Sequence, residues 1–269
     1  MHTSNDSSAQ FYRNNGYYIV PETVLPSTLV AKSYDRIPDI LRGEYETNVA
    51  PWRRWNVGDK YKIQKIDQVH LTDTAIHKLV THPAIGQWAA EITGARKIQV
   101  WATQLFYKPP GGGELGNIGW HTDQENWRFW EGEVFTAWLA LSDVTLASGP
   151  LSFVEGSHLW EKTLDNGDAY CQNLDELRSQ IIKTMPAGES WREVPAVMQA
   201  GGLSFHHSEI WHGSAANHAS SARCSIAINL RTENSYPVAA AEDYGYCQYL
   251  DDEYICPTIY DAGREPDFA

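Results

Sequence analysis

What the chain lacks narrows the field first. Its four cysteines, Cys171, Cys224, Cys247 and Cys256, include no C-x-x-C pair, which argues against a zinc ribbon or a redox dithiol. No apolar run approaches the roughly 20 residues that a membrane-spanning helix needs. The opening stretch MHTSNDSSAQF has no apolar h-region, so no secretory signal is read there, and a cytoplasmic protein with reduced thiols is expected. Without secretion the sequon Asn5-Asp6-Ser7 has no glycan to carry. Basic residues are in the minority: 21 Lys and Arg against 34 Asp and Glu leave a formal charge of −13. That balance disfavours nucleic acid and anionic membranes as partners, but not a small anion in a locally basic pocket. There is no internal repeat and no low-complexity linker.

What is present is an ordinary globular composition with many aromatics. A chain of 269 residues is long enough for a sizeable core and is read as a single domain, 1–269. Its eleven tryptophans and fourteen tyrosines serve first as large core residues. Trp120, Trp127, Trp130 and Trp211 also lie close in sequence to histidines, and aromatic walls with a few polar groups are typical of small-molecule pockets.

Residues 1–9 are polar and expected to fray. FYRNNGYYIV predicts a short helix ending at Gly16, then a strand over Tyr17–Val20. Pro26 and Ser27 open a helix reaching Leu41, and PWRRWN (51–56) reads as a loop. Apolar residues recur at helical spacing from Asp73 to Thr93, with a break at His82-Pro83. After Gly94 the pattern turns to strands: Lys97–Lys108, Gly119–Asp123, Val134–Ser142, Pro150–Val154, Gly201–His207 and Ser225–Arg231. Pro109–Gly113 is a turn. A helical layer followed by at least six strands predicts a mainly β fold, a double-stranded β-helix or jelly roll with a helical N-terminal layer. Residues 158–196, helical over Asn173–Lys183, interrupt the strands and are expected to be a lid or entrance insertion.

The chemistry-bearing pattern is His121-Thr122-Asp123, with His212 far downstream and Arg223 eleven residues after it. Residues i and i+2 of a strand share a face, so His121 and Asp123 can both face a barrel interior. Two imidazoles and one carboxylate can hold one face of a ferrous ion and leave the other open, as in non-heme iron oxygenases. The H-x-D triplet alone is weak evidence. His158, His206, His207 and His218 compete with His212, which is favoured because Arg223 follows it at the start of the next strand. There a guanidinium can pair bidentately with a keto-acid carboxylate.

Several segments together resemble the phytanoyl-CoA hydroxylase family of Fe(II)/2-oxoglutarate dioxygenases. FYRNNGYYIVPETVLP is similar to its N-terminal pattern and HPAIGQWAAEITG to its pre-barrel helix. GWHTDQENW, GPLSFVEGSH and HGSAANHASSAR are similar to its first-ligand, internal-strand and second-ligand motifs. The resemblance implies that His121, Asp123 and His212 are the iron ligands and catalytic centre. It implies that Arg223, helped by the Ser214 hydroxyl, binds the distal carboxylate of 2-oxoglutarate, and that Gln104 contacts the same co-substrate. Trp127 matches a tryptophan lining the substrate site in the ectoine-hydroxylase branch; it reads equally as packing. An aspartate at 123, where a small residue would leave room for halide, favours hydroxylation over halogenation.

The expected reaction is therefore hydroxylation of a small-molecule metabolite by O2 with release of succinate and CO2. Desaturation, cyclisation or epimerisation at the same site is one alternative, and a non-catalytic jelly-roll binding module is another. Arg53-Arg54, between Trp52 and Trp55, can meet an anionic or aromatic substrate or form a solvated turn. The other basic cluster is Lys60, Lys62 and Lys65. The acidic, tyrosine-rich segment 242–261 either packs over the barrel or forms an interface.

Overall fold

Helix signals concentrate before Gly94 and strand signals after it, and the chain folds accordingly. The computed structural model describes residues 7–161 and 168–263, so most of the sequon lies outside it. The first part contains α1 (Ser8–Asn15), β1 (Tyr17–Ile19), α2 (Ser27–Asp35), α3 (Ile37–Arg42), β2 (Arg53–Trp55), β3 (Gln64–Asp67), α4 (Thr74–Val80) and α5 (Pro83–Thr93). The second part contains β4 (Lys97–Lys108), β5 (Ile118–His121), β6 (Trp130–Glu131), β7 (Val134–Ala140), β8 (Leu151–Val154), α6 (Leu174–Thr184) and β9 (Glu193–Pro195). It continues with β10 (Leu203–His207), β11 (His212–Ser214), β12 (Arg223–Thr232), β13 (Tyr236–Pro237) and β14 (Thr258–Asp261).

Local chemistry explains the boundaries. The Ser7 side chain accepts from the Gln10 amide and caps α1, so residues 7–9 are a cap and first turn rather than a frayed end. The helix expected from Ser27 to Leu41 is divided in two: Pro38 lies in the first turn of α3, where its missing N–H is tolerated but cannot continue α2. The break at His82-Pro83 separates α4 from α5, with the His82 ring accepting from Ala84 and Gly94 closing α5 at φ 78°. Arg53–Trp55, expected as a loop, pairs antiparallel with β3.

Two sheets form the double-stranded β-helix. The larger runs β1-β10-β7-β12-β4-β3-β2, with β14 also on β4, and the smaller runs β5-β11-β8-β9. Period two then sorts the side chains. On the outer face of the larger sheet, Phe135, Leu139, Phe205, Ile226 and Ile228 pack against Ile76, Leu79, Ile85 and Ile92 of α4 and α5 in one core cluster. Each such fully buried side chain contributes about 1.5–3 kcal/mol. On the inner face, Thr136, Trp138, His206, Arg223, Ala227 and Asn229 line a cavity. Residues 134–140 read as continuously apolar because helices cover one face and the cavity wall forms the other. A register shift in β12 opposite β4 falls between Asn229 and Leu230. It leaves Trp101 as an extra residue, and both Trp101 and Ala102 join the same cluster.

The tail packs over the barrel. Tyr246 joins that tryptophan cluster, and β14 pairs with the start of β4. Gly86 makes this possible: a Cβ there would lie 2.2 Å from the Ile259 carbonyl oxygen.

Candidate metal centre

Strand pairing builds the centre. His121 ends β5 and His212 opens β11, and the two are direct partners in the antiparallel register. Their rings lie 4.2 Å apart, centroid to centroid. The strand stops at His121, and Asp123 begins a single 3-10 turn, so the carboxylate reaches the imidazoles from a turn rather than a continuing strand. The Asp123 Oδ1 atom is 3.9 Å from His121 Nε2 and 3.7 Å from His212 Nε2. These separations are too long for hydrogen bonds and suit atoms that share a third partner. One ligand atom from each residue lies within 4.8 Å of the others.

The outer contacts prepare each ligand. His121 Nδ1 is 2.8 Å from the Gly119 carbonyl and His212 Nδ1 is 3.0 Å from that of Ile210. A carbonyl only accepts, so each Nδ1 carries the proton and each Nε2 keeps its lone pair for a metal. The other carboxylate oxygen, Asp123 Oδ2, is held by Thr136 Oγ1 at 3.0 Å and His206 Nε2 at 3.2 Å. Burial pushes the imidazoles of His121 and His212 down from the ordinary histidine value. Burial opposes the charge on Asp123, but His212 and the hydrogen bond from His206 keep its carboxyl well below the usual carboxylate range. Two neutral imidazoles and an anionic carboxylate are the protonation states that metal binding requires. This donor set fits Fe(II), and all three residues line the cavity.

Behind the centre lies a cationic floor. Arg223 is 2% exposed, its Cζ is 5.3 Å from the Trp138 ring centroid, and its Nη1 donates to Ser225 Oγ at 2.8 Å. Its buried Nε has no hydrogen-bond partner. Burial lowers its pKa to about 10. Directly opposite in the β4–β12 register is Lys108, which is fully buried. Burial, with Arg223 adding to it, pushes the Lys108 ammonium well below the ordinary lysine range. Its Nζ donates to the Ser214 and Ala215 carbonyls and to Ser214 Oγ.

Around these groups is a cavity of about 690 Å³, to which Ser214, Gln104 and Trp127 all contribute. Trp127 does double duty, since it also packs edge-on against Trp101 at 5.0 Å. Of the other tryptophans singled out, Trp120 and Trp211 belong to a cluster with Leu177 and Ile181 of α6, and Trp130 packs beside Trp101. Of the competing histidines, His206 supports Asp123, whereas His158 bonds the Arg13 carbonyl and His207 accepts from the Glu209 amide. Arg53 and Arg54 part company on opposite faces of β2. Arg53 lines the cavity over Tyr244, and Arg54 donates to the Leu41 carbonyl at the end of α3.

Sequence reasoning missed Lys108, Thr136, Asn229 and the Asp67–Tyr246 pair, whose hydrogen bond is 2.9 Å long. Lys108, Thr136, Asn229 and Asp67 share one signal, a polar residue at an inward position of a strand, visible only once the register is known, whereas Tyr246 comes from a 3-10 turn of the tail. Lys108 was the most open to detection, as a lysine ending a long apolar strand just before Pro109-Pro110.

Comparison with known proteins agrees with this geometry. The profile of the phytanoyl-CoA dioxygenase (PhyH) family matches residues 12–225. The chain is 25% identical over 171 residues to mouse (Mus musculus) phytanoyl-CoA dioxygenase domain-containing protein 1, an alignment covering 60% of this chain and 54% of that protein. The chain thus spans about half the length of that curated relative. Among solved structures, it is similar to the non-heme alpha-ketoglutarate-dependent carbocyclase SnoK from nogalamycin biosynthesis, at TM-score 0.67 and 24% identity over 90% of this chain and 89% of that one. The epimerase SnoN of the same biosynthesis gives TM-score 0.67 and 23% identity over 88% and 86%. EctD from S. alaskensis gives 0.63 and 19% over 86% and 80%. At these identities the structural likeness speaks for the fold.

Proposed function

The chain belongs to the phytanoyl-CoA dioxygenase family of Fe(II)/2-oxoglutarate oxygenases, and on that premise we propose that it is an oxidoreductase hydroxylating a small-molecule metabolite with release of succinate and CO2. One observation carries the reading: the three potential ligand atoms of His121, Asp123 and His212 and the buried guanidinium of Arg223 open into the same cavity. A binding module has no need of neutral imidazoles, a restrained carboxylate and an unpaired buried cation in one place.

His121, Asp123 and His212 would hold the iron, which would supply O2 activation coupled to oxidative decarboxylation of 2-oxoglutarate. The protein supplies the rest. Arg223 and the Ser214 hydroxyl take the distal carboxylate, and Gln104 lies on the same wall. Thr136 and His206 hold Asp123 Oδ2, so Oδ1 stays turned toward the imidazoles. Trp101, Phe106, Trp127 and Phe129 exclude water from the inner cavity.

Toward the mouth, Arg53, Lys62, Lys65 and Arg128 join Trp55 and Tyr244. Arg53 lies 5.7 Å from the Tyr244 ring centroid and Lys65 4.6 Å from that of Trp55. Arg128 pairs with Glu125 and Lys65 with Asp67 on the same lining, so the aromatic walls with Arg53 among them favour a small polar or aromatic metabolite. Residues 162–167 of the segment 158–196 lie outside the described residues and its β9 belongs to the smaller sheet; between them Ala169, Tyr170 and Gln172 line the cavity, which supports an entrance element in a single catalytic domain. Limited proteolysis tests this, because a cleavage rate indifferent to ligand would oppose a lid.

Carbon–carbon cyclisation or epimerisation is the second reading, favoured by the likeness to SnoK and SnoN. Product mass separates them: one added oxygen for hydroxylation, loss of two hydrogens for desaturation or oxidative cyclisation, no change for epimerisation. The first experiment is an anaerobic titration with Fe(II) and then 2-oxoglutarate, followed by visible spectroscopy. A weak charge-transfer band that needs both components and is lost in His212→Ala supports the centre. Absence of any band in folded, iron-supplied protein would return the binding module to the lead.

A further inference from the structure

We propose that Lys108 is a positioning residue for the co-substrate: it turns the Ser214 hydroxyl onto the carboxylate that Arg223 binds. The inference rests on the 2-oxoglutarate reading above and adds a residue to it. It starts from an arrangement that is unfavourable on its own. Lys108 and Arg223 are direct cross-strand partners, both almost wholly buried, and like charges directly opposite repel. Among the described residues neither forms an ion pair with a carboxylate. The missing negative charge belongs to a ligand.

Hydrogen bookkeeping assigns the roles. An ammonium has three donors and no lone pair. Lys108 Nζ faces three acceptors, the Ser214 carbonyl at 3.2 Å, Ser214 Oγ and the Ala215 carbonyl. All three hydrogens are thereby used, so Lys108 does not bind the ligand itself. A carboxylate on Arg223 offsets the like charge and keeps Lys108 an ammonium; Ser214 Oγ then accepts from Lys108, so its single hydrogen points elsewhere, and Ser214 shares the cavity wall with Arg223. A carboxylate seated on Arg223 is the acceptor that fits. The backbone of Lys108 is clamped in turn: Asn217 Nδ2 donates to its carbonyl at 3.1 Å and to that of Ser221 at 2.8 Å. This ties the end of β4 to the connection that leads from Ser214 to Arg223.

The test compares two keto acids on the Fe(II)-loaded protein. 2-Oxoglutarate has the distal carboxylate; 2-oxovalerate keeps the chelating keto acid and lacks it. Lys108→Met matches the side chain in size. It is expected to weaken 2-oxoglutarate by about 10-fold or more, the scale of one hydrogen bond to a charged group, while 2-oxovalerate binding changes by less than about 2-fold on that scale. Ser214→Ala should give the same selective loss, and the double variant should be no worse than either single one. Lys108→Leu makes the same comparison if the Met variant does not fold, and Lys108→Gln, whose amide retains two donors, should lose less than either. Equal loss for both keto acids would mean a structural role and overturn the assignment, as would an unchanged 2-oxoglutarate affinity. A wild-type protein that binds neither keto acid overturns the co-substrate reading and this assignment with it.

Discussion

Arg223→Met separates stability from ligand binding, because the two should move differently. In the free protein the Arg223 guanidinium is buried beside Lys108, and its Nε is unpartnered. Replacing it with an apolar side chain of similar length removes a buried cation that has no carboxylate partner among the described residues, so the apo protein should melt no lower than wild type. Binding should suffer. Losing a charge-assisted bidentate contact is worth about 1.5–3 kcal/mol, and about 2 kcal/mol within that range is a roughly 30-fold weaker Kd. At a 2-oxoglutarate concentration of about 100 times the wild-type Kd, linkage gives wild type about 2.7 kcal/mol of stabilisation. The same concentration is only about 3 times the variant's Kd and gives about 0.9 kcal/mol. The difference of about 1.8 kcal/mol corresponds to about 4–7 °C in Tm for a chain of this size. Differential scanning fluorimetry with Fe(II), with and without 2-oxoglutarate, reads both quantities. A variant with an undiminished ligand-induced shift would refute the anchor, and one with a collapsed apo Tm would refute the view of Arg223 as an uncompensated charge.

Three further predictions use other parts of the molecule. Asp123→Ala, like His121→Ala, should abolish iron-dependent turnover of 2-oxoglutarate with an unchanged far-ultraviolet circular dichroism spectrum; wild-type-like turnover in either would sink the triad. His70 is fully buried between Thr103 and the Ile255 carbonyl, and burial lowers its pKa from 6.5 to about 3. The unfolded chain therefore takes up this proton first, and stability present above pH 6.5 is lost as pH falls toward 3. Between pH 7 and 5 the loss from this ring is about 2 kcal/mol, measurable by urea unfolding; His70→Gln should flatten that pH slope, and an unaltered slope would remove His70 as its source. Gly86→Ala should drive a methyl group into the Ile259 carbonyl at a cost of about 1–3 kcal/mol. It should also loosen β14 and speed thiol labelling of Cys256, which is fully buried in the wild type. Labelling no faster than wild type would show that the tail is not held there.

The fold class was legible because its strongest signals lie where burial is simplest. The outer face of the larger sheet is covered by helices, so Phe135, Leu139, Ile226 and Ile228 announce strands by their apolarity, while Gly16 marks the end of α1 and His82-Pro83 the division of α4 from α5. Legibility failed where the inner face is polar. In β3 the buried residues include Gln64 and Asp67, so QKID carries no apolar alternation and reads as surface. The neighbouring RRW of β2 fails for the same reason, its arginines serving two different faces. The division of α2 from α3 turned on a single residue, Pro38, inside an otherwise helical stretch.

The site obeys the same logic in reverse. His121, Asp123 and His212 could be picked out because a three-donor metal centre demands particular residue types, and the register of β5 and β11 then puts the two histidines side by side. The groups that make those donors usable, Thr136 and His206 on Asp123 Oδ2 and Lys108 behind Ser214, are ordinary residues whose significance is purely positional. Lys108 is the sharpest instance. In sequence it reads as a strand-ending lysine bound for solvent; in the fold it is fully buried opposite a second cation. Such a pair disfavours the free protein and favours the state in which an anion lies against it, so part of the destabilisation built into the apo fold is returned as affinity when the co-substrate carboxylate arrives. On the proposed reading, selection for the dicarboxylate over simpler keto acids would come from the buried Arg223 rather than from the metal site.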